Sequence, residues 1–277
     1  MATGTTQLVL SVFPGIDLLG KAFELEGFCV VRGPDLIWGG DIRTFHAPRQ
    51  VFSGVIGGSP CPDFSRARRC APTGNGAEML AEFARVVTEA GPDWWLLENV
   101  PGVPDCHVEG YTVQRFNLNA KECGCNQNRL RAFQFGSRDG APLVIHRAVT
   151  LPGASPCALA TEGRRTARRG WPEFCELQGL PRDFDLPGLS RAAKYRSVGN
   201  GVPIPMGRVV AVAVQRRPVT GKFVRVCLCN CGRSVPSGRT LAMPGCRKRM
   251  QRRRDAAAVT GPGTVTPATS QIALISP

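Results

Sequence analysis

No stretch of this chain approaches the roughly 18 uninterrupted apolar residues of a membrane-spanning helix, so no span is expected. The opening residues, MATGTTQLVLSVFPG, lack a basic leading region and an A-x-A-like cleavage site. They read as a first strand, not as an export signal. No internal repeat occurs, which excludes solenoids and propellers. Acids are scarce: 21 Asp and Glu stand against 35 Lys and Arg, for a net charge of +14. The scarcity is greatest in residues 216–255, with twelve Lys and Arg and the single acid Asp255. Only +3 is left for residues 1–215. A basic tail of this kind suits a polyanion, nucleic acid first. The alternative is a solubilising tail with no specific partner.

What is present is 277 residues of ordinary apolar content, enough for one large α/β domain with or without a small module. The chain is too long for a disulfide-stapled miniprotein despite twelve cysteines, and three of those crowd into CLCNC. That spacing suits a metal, so the thiols read as reduced and the compartment as cytosolic. Strands are expected at residues 7–13, 28–32, 51–56 and 93–97, with helices at 18–26 and 77–89 between them. Further strand-like pieces lie at 111–117, 132–135 and 143–146, and helices at 173–179 and 206–215. Strands alternating with helices predict a largely parallel sheet with helices on both faces. Residues 151–170 read as an irregular insert, and the last twenty residues as disordered.

The most informative stretch is VFSGVIGGSPCPDFSRARR. An apolar run ends in Gly57-Gly58, read as a turn, and Cys61 then sits between Pro60 and Pro62. The prolines fix their own φ and restrict Ser59 and Cys61. Cys61 would thus be held stiffly at the carboxyl end of a strand, where ligands bind in α/β sheets. A buried core cysteine is the plainer reading. The first loop, FPGIDLLGKAFELEGF, lacks the hydroxyl that a phosphate-binding P-loop needs after its lysine, because Ala22 stands there. An apolar loop led by Phe13, with Gly15 and Gly20, better suits an adenosyl group without phosphates. Asp35 follows the second strand and is placed to accept from ribose hydroxyls. Asp41-Ile42 offers an acceptor beside an apolar side chain, suited to adenine. Either acid alone also fits a surface turn. Glu98 ends the apolar WWLLENVPG run, where partial burial would raise its pKa and let it donate a proton. Arg129 and Arg131 alternate in QNRLR, so both face one side. YRSVGNGVPIPMG reads as a glycine turn into an apolar helix, with Asn200 as a polar handle.

Taken in order, these segments resemble the cytosine-5 DNA methyltransferases. FPGIDLLG is similar to the family's FxGxGG loop, PCPDFS to PCQxFS, ENV to ENV, QNRLR to QxRxR, and GNGVP to GNxV. FCELQGLP resembles the helix before the last motif, and the resemblance spans about residues 8–215. It implies a Rossmann-like methyltransferase sheet with a small second domain, and S-adenosylmethionine as cofactor. Phe13, Gly15, Asp35, Asp41, Ile42, Pro60, Asn200 and Gly201 would hold that cofactor. Cys61 would be the nucleophile, Glu98 the acid that engages cytosine, and Arg129 and Arg131 the arginines around a flipped base. Double-stranded DNA is the implied partner, with no membrane and no obligate protein partner. A cytoplasmic, prokaryotic or viral setting follows, with restriction-modification among the roles. The same chemistry on tRNA and a catalytically silent DNA-binding relative are the alternatives.

Three departures stand out. Pro62 replaces the usual glutamine, Asp17 replaces a glycine of the first loop, and Ser11 stands where an acid is common. The implied organisation is a catalytic core at 1–136, a short target-recognition insert at 137–170 and the rest of the core at 171–216. So short an insert predicts a short or degenerate target. A Cys/Arg-rich module then occupies 217–255 and a tail 256–277. Cys227, Cys229, Cys231 and Cys246 could give one closed structural zinc site that presents the arginine-rich RKRMQRRR to DNA phosphates. Unliganded thiols in a basic tail are the rival reading.

Overall fold

The computed structural model describes residues 7–60, 62–64, 71–148, 153–217, 225–226, 234–235, 245–248 and 251–252. By internal contacts the chain divides into two compact units, Met1–Gly221 and Lys222–Pro277. The second unit contributes a short antiparallel pair, β9 (Arg225–Val226) and β10 (Ser234–Val235), and helical residues at 245–248 and 251–252. The expected tail at 256–277 lies outside the described residues.

The first unit alternates strands and helices. In chain order it runs β1 (Leu8–Val12), α1 (Leu18–Glu24), β2 (Cys29–Arg32), β3 (Gly54–Gly57), α2 (Asn75–Ala90) and β4 (Trp94–Asn99). It continues with β5 (Thr112–Asn119), β6 (Gln127–Asn128), β7 (Leu130–Ser137), β8 (Ser155–Pro156), α3 (Trp171–Leu177), α4 (Arg191–Asn200) and α5 (Ile204–Arg216). Six strands form one sheet in the order β2-β1-β3-β4-β7-β5. β1 to β4 pair in parallel, and β7 runs antiparallel to both β4 and β5. β6 and β8 pair in parallel beside the main sheet. This is the mixed, mostly parallel Rossmann-like sheet that the motif order implied.

Each face of the sheet buries one apolar layer. On one side α1 and α5 pack through Leu19, Phe23, Met206 and Val210. On the other, α2 buries Met79, Leu80, Phe83, Val86, Val87 and Ala90, a spacing that keeps them on one stripe of the helix. β4 divides the two layers with adjacent tryptophans. Trp94 lies over Gly54 of β3 and Trp95 over Gly136 of β7, each glycine directly opposite in register. A Cβ at either glycine would overlap the indole ring. Strand side chains alternate faces, so one Trp-Trp pair fills both layers.

Four local expectations differ from the fold. The strand expected at 51–56 begins only at Gly54, because Gln50 turns the chain at φ 58° and Val51 is exposed. Gly57 closes β3 between Val12 and Leu97 and is not a turn; a Cβ there would press on the Phe83 ring at 2.9 Å. Residues 143–146 form no strand. The Gln114 side chain instead accepts from Leu143 N at 2.7 Å and donates to Leu143 O at 3.1 Å, filling the role of a partner backbone. Residues 195–200 are helical, not a turn, and belong to α4. The stretch Arg191–Arg216 is apolar enough by composition to cross a bilayer, but 61% of that window is buried inside the protein. Its apolar character is explained by core packing of α5 against α1.

Candidate active site

The sheet's order sets where the site forms. The chain leaves β1 toward α1 on one face and leaves β3 toward α2 on the other. The crevice between the diverging carboxyl ends of β1 and β3 is the place where α/β sheets bind ligands. A cavity of about 360 Å³ opens there, lined by the loops after β1, β2, β3 and β4 and by residues 197–202. That volume lies within the usual range of small-molecule sites, ~300–1,000 Å³.

The loop after β1 is strained. Phe13, Gly15 and Asp17 take φ of 54°, 57° and 58°. Only the middle one is glycine, and left-handed backbone at the other two costs roughly 1–3 kcal/mol each. Neighbours hold the loop there. Gly15 N donates to Asp35 Oδ2 at 2.8 Å, and the Trp38 indole donates to Gly15 O at 2.7 Å. Asp17 is buried and accepts from Gly20 N, from the Ser11 hydroxyl and from Arg32 Nε. It thereby caps α1, and a Cβ at Gly20 would overlap its carboxylate.

Glu98, on the carboxyl half of β4, is a second buried carboxylate of the cavity, 6% exposed. Arg131 Nε pairs with its Oε1 at 3.0 Å. Burial pushes the Glu98 carboxyl above its ordinary pKa, and the charges of Arg131 and Arg129 pull back only part of that rise. Arg129 is more deeply committed. Its Nη1 donates to Ala158 O and Cys157 Sγ, and its Nη2 to Gly199 O and Gly201 O. Its Nε is buried without a partner among the described residues. Arg129 therefore ties residues 157–158 to the end of α4, while Arg131 faces Glu98.

Asn99 follows Glu98 and reaches across to the strand that leads to Cys61. Its Nδ2 donates to Ser59 O at 3.0 Å and Ser59 Oγ at 2.9 Å, while Val100 N donates to its Oδ1. Pro60 lines the cavity; Cys61 lies outside the described residues. Gly58 is close enough to Glu98 that a Cβ would sit 3.1 Å from Oε2.

The cavity gathers Phe13, Gly15, Asp35, Asp41, Ile42, Pro60, Glu98, Arg129, Arg131, Asn200 and Gly201, segments spread over most of the first unit. Asp35 and Asp41 each cap a 3₁₀ turn, accepting from Ile37 N and Arg43 N. Both carboxylates are half-buried and keep lone pairs to offer. Lys21, the lysine of the P-loop-like pattern, is exposed on α1 and does not line the cavity, which removes that rival's phosphate contact. Cys227, Cys229 and Cys231 lie outside the described residues, and Cys246 is buried. Among the described residues no group of three or more metal-ligand side chains occurs.

Sequence reasoning missed Gln127 and Gln178. Both are fully buried. Gln127 Nε2 donates to Gln178 Oε1 and to Leu177 O, and Gln178 Nε2 donates to Val198 O at 2.6 Å and Gly201 O at 3.0 Å. They brace the backbone that Arg129 also clamps. Their only sequence signal was a glutamine inside each of two quoted motifs.

The cavity's chemistry fits an adenosyl sulfonium. Phe13, Ile16, Leu36, Ile37, Ile42 and Met79 supply apolar walls, Asp35, Asp41 and Asn200 supply polar handles, and the first loop offers no lysine or arginine for phosphate. Gly201 keeps the floor open, since a Cβ there would stand 2.7 Å from Leu18.

Residues 38–155 match the family described as C-5 cytosine-specific DNA methylase. Type II methyltransferase M.HgiDI of Herpetosiphon aurantiacus is 34% identical over 110 residues, covering 36% of this chain and 34% of that protein. Type II methyltransferase M.MthTI of Methanothermobacter thermautotrophicus is 28% identical over 183 residues, covering 53% and 55%. The chain thus spans about half or less of the length of these curated relatives. The solved S. pombe Dnmt2 methyltransferase superposes with a TM-score of 0.56 at 11% identity, covering 76% of this chain and 98% of that one. At that identity the likeness shows a shared fold.

Proposed function

We propose, from the premise that this chain belongs to the cytosine-5 DNA methyltransferase family, that it methylates carbon 5 of cytosine in double-stranded DNA. The observation that carries the reading is the Glu98–Arg131 pair, buried at the end of β4 beside the β3 end that leads to Cys61.

Carbon 5 of cytosine is a weak nucleophile inside an aromatic ring. The Cys61 thiolate adds to carbon 6, forming the sulfur–carbon bond and pushing the ring electrons toward carbon 5. Glu98, whose carboxyl burial pushes above its ordinary pKa, gives its proton to ring nitrogen 3 and stabilises the adduct. Arg131 holds the Glu98 carboxyl in place and takes up its charge once the proton has left. S-adenosylmethionine, when bound by Phe13, Gly15, Asp35, Asp41, Ile42, Pro60, Asn200 and Gly201, supplies an electrophilic methyl group. Loss of the carbon-5 proton to a base then restores the double bond, the thiolate leaves, and ring nitrogen 3 returns its proton to Glu98. The cytosine is reached by flipping, at a cost of roughly a few kcal/mol. Arg129 acts mainly by fixing the cavity wall, since its Nη atoms already serve four acceptors.

The test uses labelled S-adenosylmethionine with unmethylated duplex DNA, with tRNA, and with neither. Label enters DNA with the wild type and disappears with Cys61→Ala. Label in tRNA alone would move the substrate to RNA, and no label in either would leave a silent DNA-binding relative.

We also propose one structural zinc held by Cys227, Cys229, Cys231 and Cys246. Metal analysis of the full chain decides it: about one zinc per wild-type chain is expected, and a Cys246→Ser variant with undiminished zinc rejects it. The organisation into core, insert at 137–170 and basic module at 217–255 is part of the same reading.

A further inference from the structure

A second cavity, of about 580 Å³, lies away from the candidate active site and no motif led to it. The turn after residue 165, the start of α3 and the first turns of α4 enclose it. Four of its ten lining residues are cationic and one, Asp185, is acidic. Two cations are already paired: Arg169 with Glu162 at 2.6 Å and Lys194 with Asp185 at 2.5 Å. Arg168 and Arg191 are exposed, and among the described residues neither has a carboxylate partner. Both are anchored through neutral groups, Arg191 Nε on Gly163 O at 3.3 Å and Arg168 on Arg165 O at 3.3 Å. The aromatic wall is fixed as well. Trp171 Nε1 donates to Phe184 O, and the Tyr195 hydroxyl donates to Arg169 O and accepts from the Arg168 side chain, which helps hold Arg168 at the cavity.

We propose that this cavity is a seat for a backbone phosphate of duplex DNA, gripped by Arg168 and Arg191. The inference rests on the DNA methyltransferase reading and adds to it a place where the duplex is held. Arginine is suited to the role because its planar fork meets phosphate oxygens bidentately. Arg164 and Arg165, exposed just upstream, extend the charge along the surface as a duplex requires and a small anion does not. α4 connects the two sites. Arg191 and Lys194 at its start line this cavity, while Ser197, Gly199 and Asn200 at its end line the candidate active site. Ten residues of helix span about 15 Å. Phosphate contacts fix register without reading sequence. A short insert that grips backbone in this way agrees with a short or degenerate target.

The test measures binding of an unmethylated duplex oligonucleotide across a salt series, without cofactor, for the wild type, Arg168→Ala/Arg191→Ala and Arg168→Lys/Arg191→Lys. Losing this one phosphate contact lowers the salt slope by ~0.9, so the alanine pair should flatten it by roughly 1. The lysine pair should retain most of the slope. In the wild type, duplex should slow phenylglyoxal labelling of Arg168 and Arg191, a readout that needs no variant to fold. Unchanged slope in the alanine pair, or labelling that duplex does not slow, overturns the proposal. A wild type that methylates DNA while the variants bind it equally well defeats the phosphate seat alone. A wild type that neither binds nor methylates DNA defeats the functional reading and the seat with it.

Discussion

Ser11 donates its hydroxyl to Asp17 Oδ1 across 2.8 Å, joining the carboxyl half of β1 to the cap of α1 in a buried hydrogen bond. Both residues depart from the family pattern, which commonly has an acid at the first position and a glycine at the second. The bond makes them one departure. The carboxylate stands on the loop and a hydroxyl on the strand, so a single buried acid remains.

Restoring the acid to the strand should therefore fail alone and succeed with its partner. Ser11→Asp places two carboxylates against each other in a buried site and should cost about 3 kcal/mol or more. Adding Asp17→Gly removes the repulsion and relieves the left-handed backbone, and should recover roughly 2 kcal/mol. Urea denaturation of the two singles and the double closes the cycle. Additive effects would mean that the two positions are independent.

Glu98→Gln keeps the shape and removes the acid. Labelled-methyl transfer should fall by about 10²–10⁴. The stability effect has a definite sign. Burial raises the folded pKa of Glu98, so its favourable contribution is complete below the usual glutamate pKa and is lost as pH rises through the raised value. The stability difference between wild type and variant should thus move in the variant's favour with rising pH. A difference that is flat with pH would contradict a raised Glu98.

Asn99→Ala should loosen the segment before Cys61 while leaving in place the loops that carry Phe13, Asp35, Asp41 and Asn200. Removing both bonds to Ser59 should lower kcat by roughly 10–100-fold. S-adenosylmethionine affinity, measured by calorimetry, should stay within a factor of about 2. A matching loss of cofactor affinity would show that Asn99 supports the whole cavity instead.

Glu162→Gln breaks the pair that carries Arg169 at the edge of the phosphate seat. Burial alone would raise the Glu162 carboxyl, but its hydrogen bonds and the Arg169 charge outweigh that and hold it below the usual range. The stability it contributes is therefore present above the ordinary glutamate pKa and lost as pH falls through the lowered value. At neutral pH the substitution should cost about 3 kcal/mol, read by thermal or urea unfolding. The penalty should shrink in acid, and a penalty constant with pH would count against the pair.

The sequence by itself determined the alternation of strands and helices, and the strand ends at which Asp35 and Glu98 stand. Periodicity and short glycine- or proline-marked loops are local properties, and local properties are legible in a linear chain. It did not determine what each polar group would touch. Arg129 and Arg131 read as an equivalent pair, yet one clamps the backbone of residues 158, 199 and 201 and the other pairs with Glu98. Asp17 read as an oddity, yet it is a buried cap shared with Ser11 and Arg32. Gln127 and Gln178, bonded to each other across 51 residues, read as nothing. Those partners come from distant segments brought together only when the sheet folds. A buried donor or acceptor must find whichever partner the packing leaves beside it, so tertiary structure alone assigned those roles.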